Sequence, residues 1–126
     1  MDFNEMLIIA KDLVKERKIS RNATAGTVAA VLLTDKGNIY KGVCIDTPAG
    51  MGFCAEHSAI AAMITAGESR IIKIIATGID DKAACAPCGR CREFINNVHD
   101  ENYKCEVMLE DGSVKTIEQL LPYRMN

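Results

Sequence analysis

Cys85, Cys88 and Cys91 stand within seven residues, and Cys54 is followed two positions later by Glu56 in the run FCAEHSAIAAM. Cys88-Gly89-Arg90-Cys91 places two thiols at i and i+3, one turn apart on the same face of a helix. A thiol at a helix N-terminus is acidified by the helix dipole and the free N–H groups there. Three thiolates from two such helix ends can hold zinc tetrahedrally with a fourth position open, which is how catalytic zinc sites differ from closed structural ones. Glu56 is poorly placed as a fourth ligand. It is well placed as general acid and base toward a water at the open position. A dication carrying three thiolates is net negative, and His57, Arg90, Arg92 and both helix N-termini are at hand to offset that charge.

Other chemistries use cysteines at these spacings. Cys85-x-x-Cys88-x-x-Cys91 imitates an iron–sulfur run but lacks a close fourth cysteine. Cys88-Gly-Arg-Cys91 imitates a redox pair, which leaves Cys54 and Glu56 without a role. A non-enzymatic zinc module is the remaining rival, with Cys85, Cys54 or Cys105 closing the fourth position.

The rest of the chain narrows the setting. Its 126 residues and 13.7 kDa, 48% hydrophobic and 25% charged, fit one globular domain spanning 1–126. Fifteen basic against seventeen acidic residues give a net charge of −2, without the basic excess of a non-specific nucleic-acid binder. Aromatics make up 5% with no Trp, which disfavours a base-stacking platform. The apolar run Met6 to Ala10 is too short for a signal peptide or membrane span, so a cytoplasmic location is expected. Six cysteines in a reducing compartment suit metal chemistry better than disulfides.

The elements that must position these groups follow from periodicity. Phe3, Met6, Leu7, Ala10, Leu13 and Val14 predict a helix over 3–17 behind an Asp2 cap. TVAAVLLT (27–34) reads as a central strand buried on both faces, and Asp35-Lys36-Gly37-Asn38 turns it into a paired strand over 39–45. After the Pro/Gly-rich loop 46–53, a helix is expected from Cys54 to Ala66, with the small residues Ala55, Ser58, Ala59, Ala61, Ala62 and Ala66 permitting close approach. A buried strand over 71–79, a loop over 80–87, a helix from Cys88 to about Val98, a strand over 104–109 and a helical segment over 116–121 complete an α/β pattern. Both cysteine-led helices follow strands, and ligands in such sheets sit at the strands' carboxyl ends.

With CAE at 54–56 and PCGRCRE at 87–93, the chain resembles the cytidine deaminase superfamily in its small, all-cysteine zinc form. The resemblance runs from the 27–45 hairpin to the LLP near the C-terminus. It implies a three-layer α/β/α fold with a mixed five-stranded sheet, and one zinc per subunit on Cys54, Cys88 and Cys91. It also implies that Glu56 shuttles protons while a cytosine-type amine leaves as ammonia, and that the protein is a homotetramer acting on a small nucleoside-like molecule. The substrate-reading stretch departs from the family. Where relatives carry Gly-x-Asn-x-Glu-Asn, this chain has Gly42-Val43-Cys44-Ile45-Asp46-Thr47, so Cys44 and Asp46, with Ala55, are the candidate substrate contacts. A Phe that packs on the base in relatives falls at or near Gly26, and the usual Arg after the Glu is His57. A small residue near position 26 and the tail VKTIEQLLPYRMN are similar to blasticidin-S deaminases.

Overall fold

The computed structural model describes residues 1–79 and 83–125; of the loop expected over 80–87, residues 80–82 lie outside the described residues. The chain runs α1 (Phe3–Leu13), β1 (Arg17–Ser20), β2 (Ala23–Thr34), β3 (Ile39–Asp46), α2 (Ala55–Thr65), β4 (Ile71–Gly78), α3 (Gly89–Asn97), β5 (Glu106–Met108), β6 (Val114–Thr116) and α4 (Ile117–Leu120). The mixed sheet between helical layers is as expected, with six strands rather than five among the described residues. Helix α1 is one turn shorter than its periodicity suggests. Asp2 caps its start by accepting the Glu5 N–H at 2.8 Å, and the chain leaves the helix at Val14 to form β1.

β2 is the hub. β3 and β4 both pair with it antiparallel on opposite edges, so they run in the same direction, and β5 continues parallel to β4. The carboxyl ends of β3 and β4 therefore lie at one end of the sheet, and the loops to α2 and α3 leave from there. The even apolarity of β2 reflects burial on both faces. Val31 and Ile75 pack against Phe3, Met6 and Ala10 of α1, whereas Ala30, Leu32 and Ile74 pack against Ile60 and Met63 of α2 and Ile95 of α3.

Two glycines fix the approach of neighbouring backbone. Gly26 has φ +89°, and a Cβ there would lie 2.0 Å from the Lys15 carbonyl oxygen, whose own N–H donates to the Gly26 carbonyl at 2.9 Å. No larger residue fits, which accounts physically for the loss of an aromatic ring at this place. At Gly42, a Cβ would lie 2.4 Å from Ala59 N and Ser58 Cβ, so α2 rests directly on the β3 backbone. Ala55 and Ala59 face that contact while Ala61, Ala62 and Ala66 are exposed, so only part of the small-residue pattern serves close packing. Gly42→Ala should lift α2 from the sheet, cost about 1–3 kcal/mol as overpacking does, and displace Cys54 and Glu56. Denaturant unfolding and zinc titration of that variant would check both.

Asn102 secures the other helix. It is fully buried; its Oδ1 accepts the Ile71 N–H at 2.8 Å, and its Nδ2 donates to Ser69 O and Ile95 O, each at 3.0 Å. One amide side chain thus ties the end of α3 to the start of β4.

Candidate metal and substrate site

Each metal-site cysteine owes its place to a helix start. Cys54 is the N-cap of α2 and Cys88 that of α3, both with extended backbone and neither using its side chain to cap, so both thiols are free to project outward. Cys91 lies one turn into α3 and is fully buried. The loop before Cys54 is pinned by a two-way bridge, with Ile45 N–H donating to Phe53 O at 3.0 Å and Phe53 N–H to Ile45 O at 2.9 Å.

The sulfurs converge. Cys54 Sγ is 3.8 Å from Cys88 Sγ, and Cys88 Sγ is 3.5 Å from Cys91 Sγ. A tetrahedral zinc with bonds of about 2.3 Å holds its sulfur ligands about 3.8 Å apart, so the spacing fits that ion. The electrostatics fit as well. Burial pushes the Cys91 thiol far up, with the Glu56 carboxylate adding to the rise, and burial also raises Cys54. Cys88 is lowered despite partial burial, because the Cys91 N–H and the neighbouring thiols stabilise its thiolate. Burial thus opposes ionisation of Cys54 and Cys91, and a dication is what three thiolates at this spacing call for.

His57 comes closer to this centre than its place in the sequence suggests. Its Nδ1 is 3.5 Å from Cys91 Sγ, and Cys54, His57 and Cys91 bring their ligand atoms within 4.8 Å of one another, a group that could itself hold one metal ion. The ring stacks on Phe94, with centroids 4.3 Å apart and planes 8° from parallel. Burial, with help from Arg90, lowers its pKa and favours the neutral ring. Arg92 takes a different position from that of a thiolate neutraliser. Its guanidinium donates to Pro87 O at 2.9 Å and Leu120 O at 3.1 Å, so it braces the loop that delivers Cys88 against α4. Arg90 lines the cleft instead. Cys105 is wholly buried in the main core, its thiol directed to Glu106 O.

Glu56 is only 5% exposed, in the first turn of α2, and burial raises its pKa. It lines a cleft of about 490 Å³ together with Ala55, Cys54, Cys88, Cys44 and Asp46, a volume suited to a small-molecule ligand. Six of the seven residues expected to form the metal and substrate site therefore line one cleft, and the seventh, Cys91, is buried with its sulfur 3.5 Å from that of Cys88. Cys44 is turned into the protein: its sulfur accepts the Val28 N–H at 3.3 Å and pairs with Thr27 Oγ1 at 3.0 Å, while Asp46 Oδ2 is 3.9 Å away. The Cys44 thiol donates to Asp46 Oδ2, and the exposed Asp46 keeps its other carboxylate oxygen for the cleft. Thr27 and Phe53, both lining the cleft, were missed in the sequence. Thr27 carried no signal beyond its place at the head of an apolar strand. Phe53, directly before Cys54, was legible as the one aromatic in the delivering loop.

Residues 4–107 match the family model described as "Cytidine and deoxycytidylate deaminase zinc-binding region". A cytidine deaminase of Sporosarcina psychrophila is 32% identical over 98 residues, covering 75% of this chain and 71% of that protein. A cytidine deaminase of Shewanella pealeana is 35% identical over 99 residues, covering 76% of this chain and 31% of the relative, so the chain spans about a third of the length of such relatives. Among solved structures, the cytidine deaminase of Mycobacterium leprae superposes with a TM-score of 0.78 at 25% identity, covering 97% of this chain and 98% of that one. The cytidine deaminase of Mycobacterium tuberculosis, at 22% identity and a TM-score of 0.81, shares the fold.

Proposed function

Because this chain belongs to the cytidine and deoxycytidylate deaminase zinc-binding family, we propose that it is a hydrolytic deaminase of a cytosine-type nucleoside or nucleoside analogue, with residues 1–126 acting as one domain. The observation that carries this reading is a buried carboxylate, Glu56, in the same cleft as thiols at zinc spacing.

Cys54, Cys88 and Cys91 are the residues that would hold zinc, and zinc when bound supplies Lewis acidity and a place for the attacking water. The Glu56 carboxylate takes one proton from the attacking water and gives it to the ring nitrogen, then takes the second from the hydroxyl left on the ring carbon and gives it to the departing amino group. Water adds at the amino-bearing carbon, the C–N bond breaks, and ammonia and a uracil-type product leave. The raised pKa of Glu56 suits this traffic, since a carboxyl that gives up its proton less readily can return it to the substrate. His57, held parallel to Phe94, sets Nδ1 3.5 Å from the Cys91 sulfur, and in the tautomer protonated at Nδ1 it would donate to a Cys91 thiolate and relieve part of the excess negative charge. Arg90 faces the same cleft and adds to that relief.

The sugar side of the cleft supports a substrate other than plain cytidine, with blasticidin S among the alternatives. Cys44 is engaged with Thr27, Val28 and Asp46 Oδ2, and the second Asp46 carboxylate oxygen is the group that would accept a sugar-side hydroxyl. Asp46→Ala should lower kcat/KM for nucleosides by about tenfold to a hundredfold, the scale of a lost hydrogen bond to a charged group. Free cytosine, which has no sugar, should show no such loss. Equal losses for both would remove Asp46 from the sugar site. The family resemblance further supports a homotetramer, which sedimentation would test. Among the described residues no helix is long and apolar enough to cross a membrane, and a cytoplasmic setting agrees with the use of cysteine for metal binding rather than stapling. Ammonia release from cytosine compounds by the zinc-loaded protein tests the reading as a whole.

A further inference from the structure

The cleft wall beside Asp46 is built from an irregularity in the sheet. Ala25 pairs with Ile45 and Ala29 with Val43, so Gly26, Thr27 and Val28 of β2 stand opposite Cys44 alone. A bulge of this kind re-aims side chains. Its neighbours hold it in place. Gly26 O accepts from the Lys15 N–H at 2.9 Å, Thr27 O accepts from the Ile79 N–H at 2.8 Å, and the Val28 N–H donates to Cys44 Sγ at 3.3 Å. Thr27 is thereby set, half-buried, on the cleft wall. Its hydroxyl lies 3.0 Å from Cys44 Sγ, which in turn lies 3.9 Å from Asp46 Oδ2. Thr27, Cys44 and Asp46 form one line of polar atoms.

The protons along that line have a direction. A carboxylate only accepts, and a thiol carries a single proton. With the Cys44 S–H given to Asp46 Oδ2, the sulfur has only lone pairs for its other neighbours, so the Val28 N–H and the Thr27 O–H both donate to it. The Thr27 proton is then committed to sulfur, and the hydroxyl has only lone pairs left for a ligand. The second Asp46 oxygen likewise only accepts. We propose that Thr27 is a specificity-determining residue, which together with Asp46 makes a wall that accepts hydrogen bonds and gives none, so that the substrate must present a donor, a hydroxyl or an amine, on its sugar side. This rests on the deaminase reading, which puts the amino-bearing ring at Glu56 and the sugar at Asp46. An ether oxygen, a carbonyl or a fluorine at that place sets lone pair against lone pair and leaves the wall's acceptors unpaired, which a hydrogen-bonding site rejects strongly.

The test is equilibrium binding to the zinc-loaded full chain carrying Glu56→Gln. The ligands are cytidine, its 2′- and 3′-deoxy forms, the matching 2′- and 3′-fluoro forms, and 3′-amino-3′-deoxycytidine. Fluorine is polar and no larger than a hydroxyl, but it has no proton to give. At the sugar position that meets the wall, the fluoro form should bind no better than the deoxy form and roughly tenfold or more weaker than cytidine. The amine should bind at least as well as cytidine, and a gain that shrinks as salt rises tells a charged amine from a hydroxyl. Thr27→Val keeps the branched shape and removes the acceptor, so it should cut the cytidine-to-fluoro affinity ratio by roughly threefold to tenfold, and Thr27→Ser should keep that ratio. A purely structural role for Thr27 would weaken every ligand alike and leave the ratio unchanged. That result, fluoro forms that bind as well as cytidine at both positions, or no binding of any of these ligands overturns the assignment. The deaminase reading fails separately, by the absence of ammonia release from every cytosine compound offered to the unsubstituted protein.

Discussion

Glu56→Gln should lower kcat by about a hundredfold to ten-thousandfold, the usual worth of a positioned general acid and base, with zinc still bound at one per chain. Glutamine keeps the shape and the hydrogen-bonding reach of the side chain but carries no transferable proton at neutral pH. Glu56 lies in the first turn of α2, only 5% exposed, and is not needed to complete the sulfur cluster. Removing its charge also removes a carboxylate that raises the Cys91 thiol pKa, so zinc should bind no worse in the variant. Ammonia release measured beside metal content separates the two effects. A variant that loses zinc along with activity would make Glu56 a ligand, and one that keeps its activity would take proton transfer away from it.

Removing a sulfur should have the larger structural consequence. Cys88→Ser should lose stoichiometric zinc, because it removes one of three converging thiols, the one at 3.8 Å from Cys54 and 3.5 Å from Cys91. It is also the thiol most readily ionised without a metal. Metal binding contributes to folding, so this variant should melt lower than the zinc-loaded parent and close to the metal-stripped one. His57→Ala, in contrast, should keep one zinc per chain with affinity weakened about tenfold to a hundredfold, the range for a lost contact to a ligand. The opposite outcome, zinc kept by Cys88→Ser and lost by His57→Ala, would assign the centre to Cys54, His57 and Cys91, which also lie within coordinating distance of one another. Metal analysis and competition with a chromogenic chelator distinguish the two sets without reference to turnover.

The chemistry was legible because it lies in short, local patterns. Cys54 with Glu56, and Cys88 with Cys91, fix their relative geometry through a helix turn, and each pair only needed a helix start to present it. The long apolar strand β2 and the paired β3 were legible for the same reason, since their patterns are uninterrupted over several residues. What escaped the reading depends on contacts between distant segments. The strand β1 is too short and too polar to show a period, with all four residues exposed. It exists because the chain leaves α1 and pairs back along β2 beside Gly26. Arg92 reads as a charge near thiolates, yet the backbone carbonyls of Pro87 and Leu120 claim it. His57 gains its importance from Phe94, which stacks its ring beside Cys91. Cys44 looked like a weakened substrate contact, and only the fold brings Thr27 and the Val28 N–H to its sulfur.

The most direct test of the central claim is a mass balance on the zinc-loaded protein with cytidine, CMP, dCMP and blasticidin S, following ammonia and the mass of each ring product. The account predicts that at least one of these yields one ammonia per product molecule, that the product is the corresponding uracil-type compound, and that stripping zinc abolishes the reaction. Protein holding one zinc per chain that releases no ammonia from any of them, or activity that survives complete removal of the metal, would contradict it.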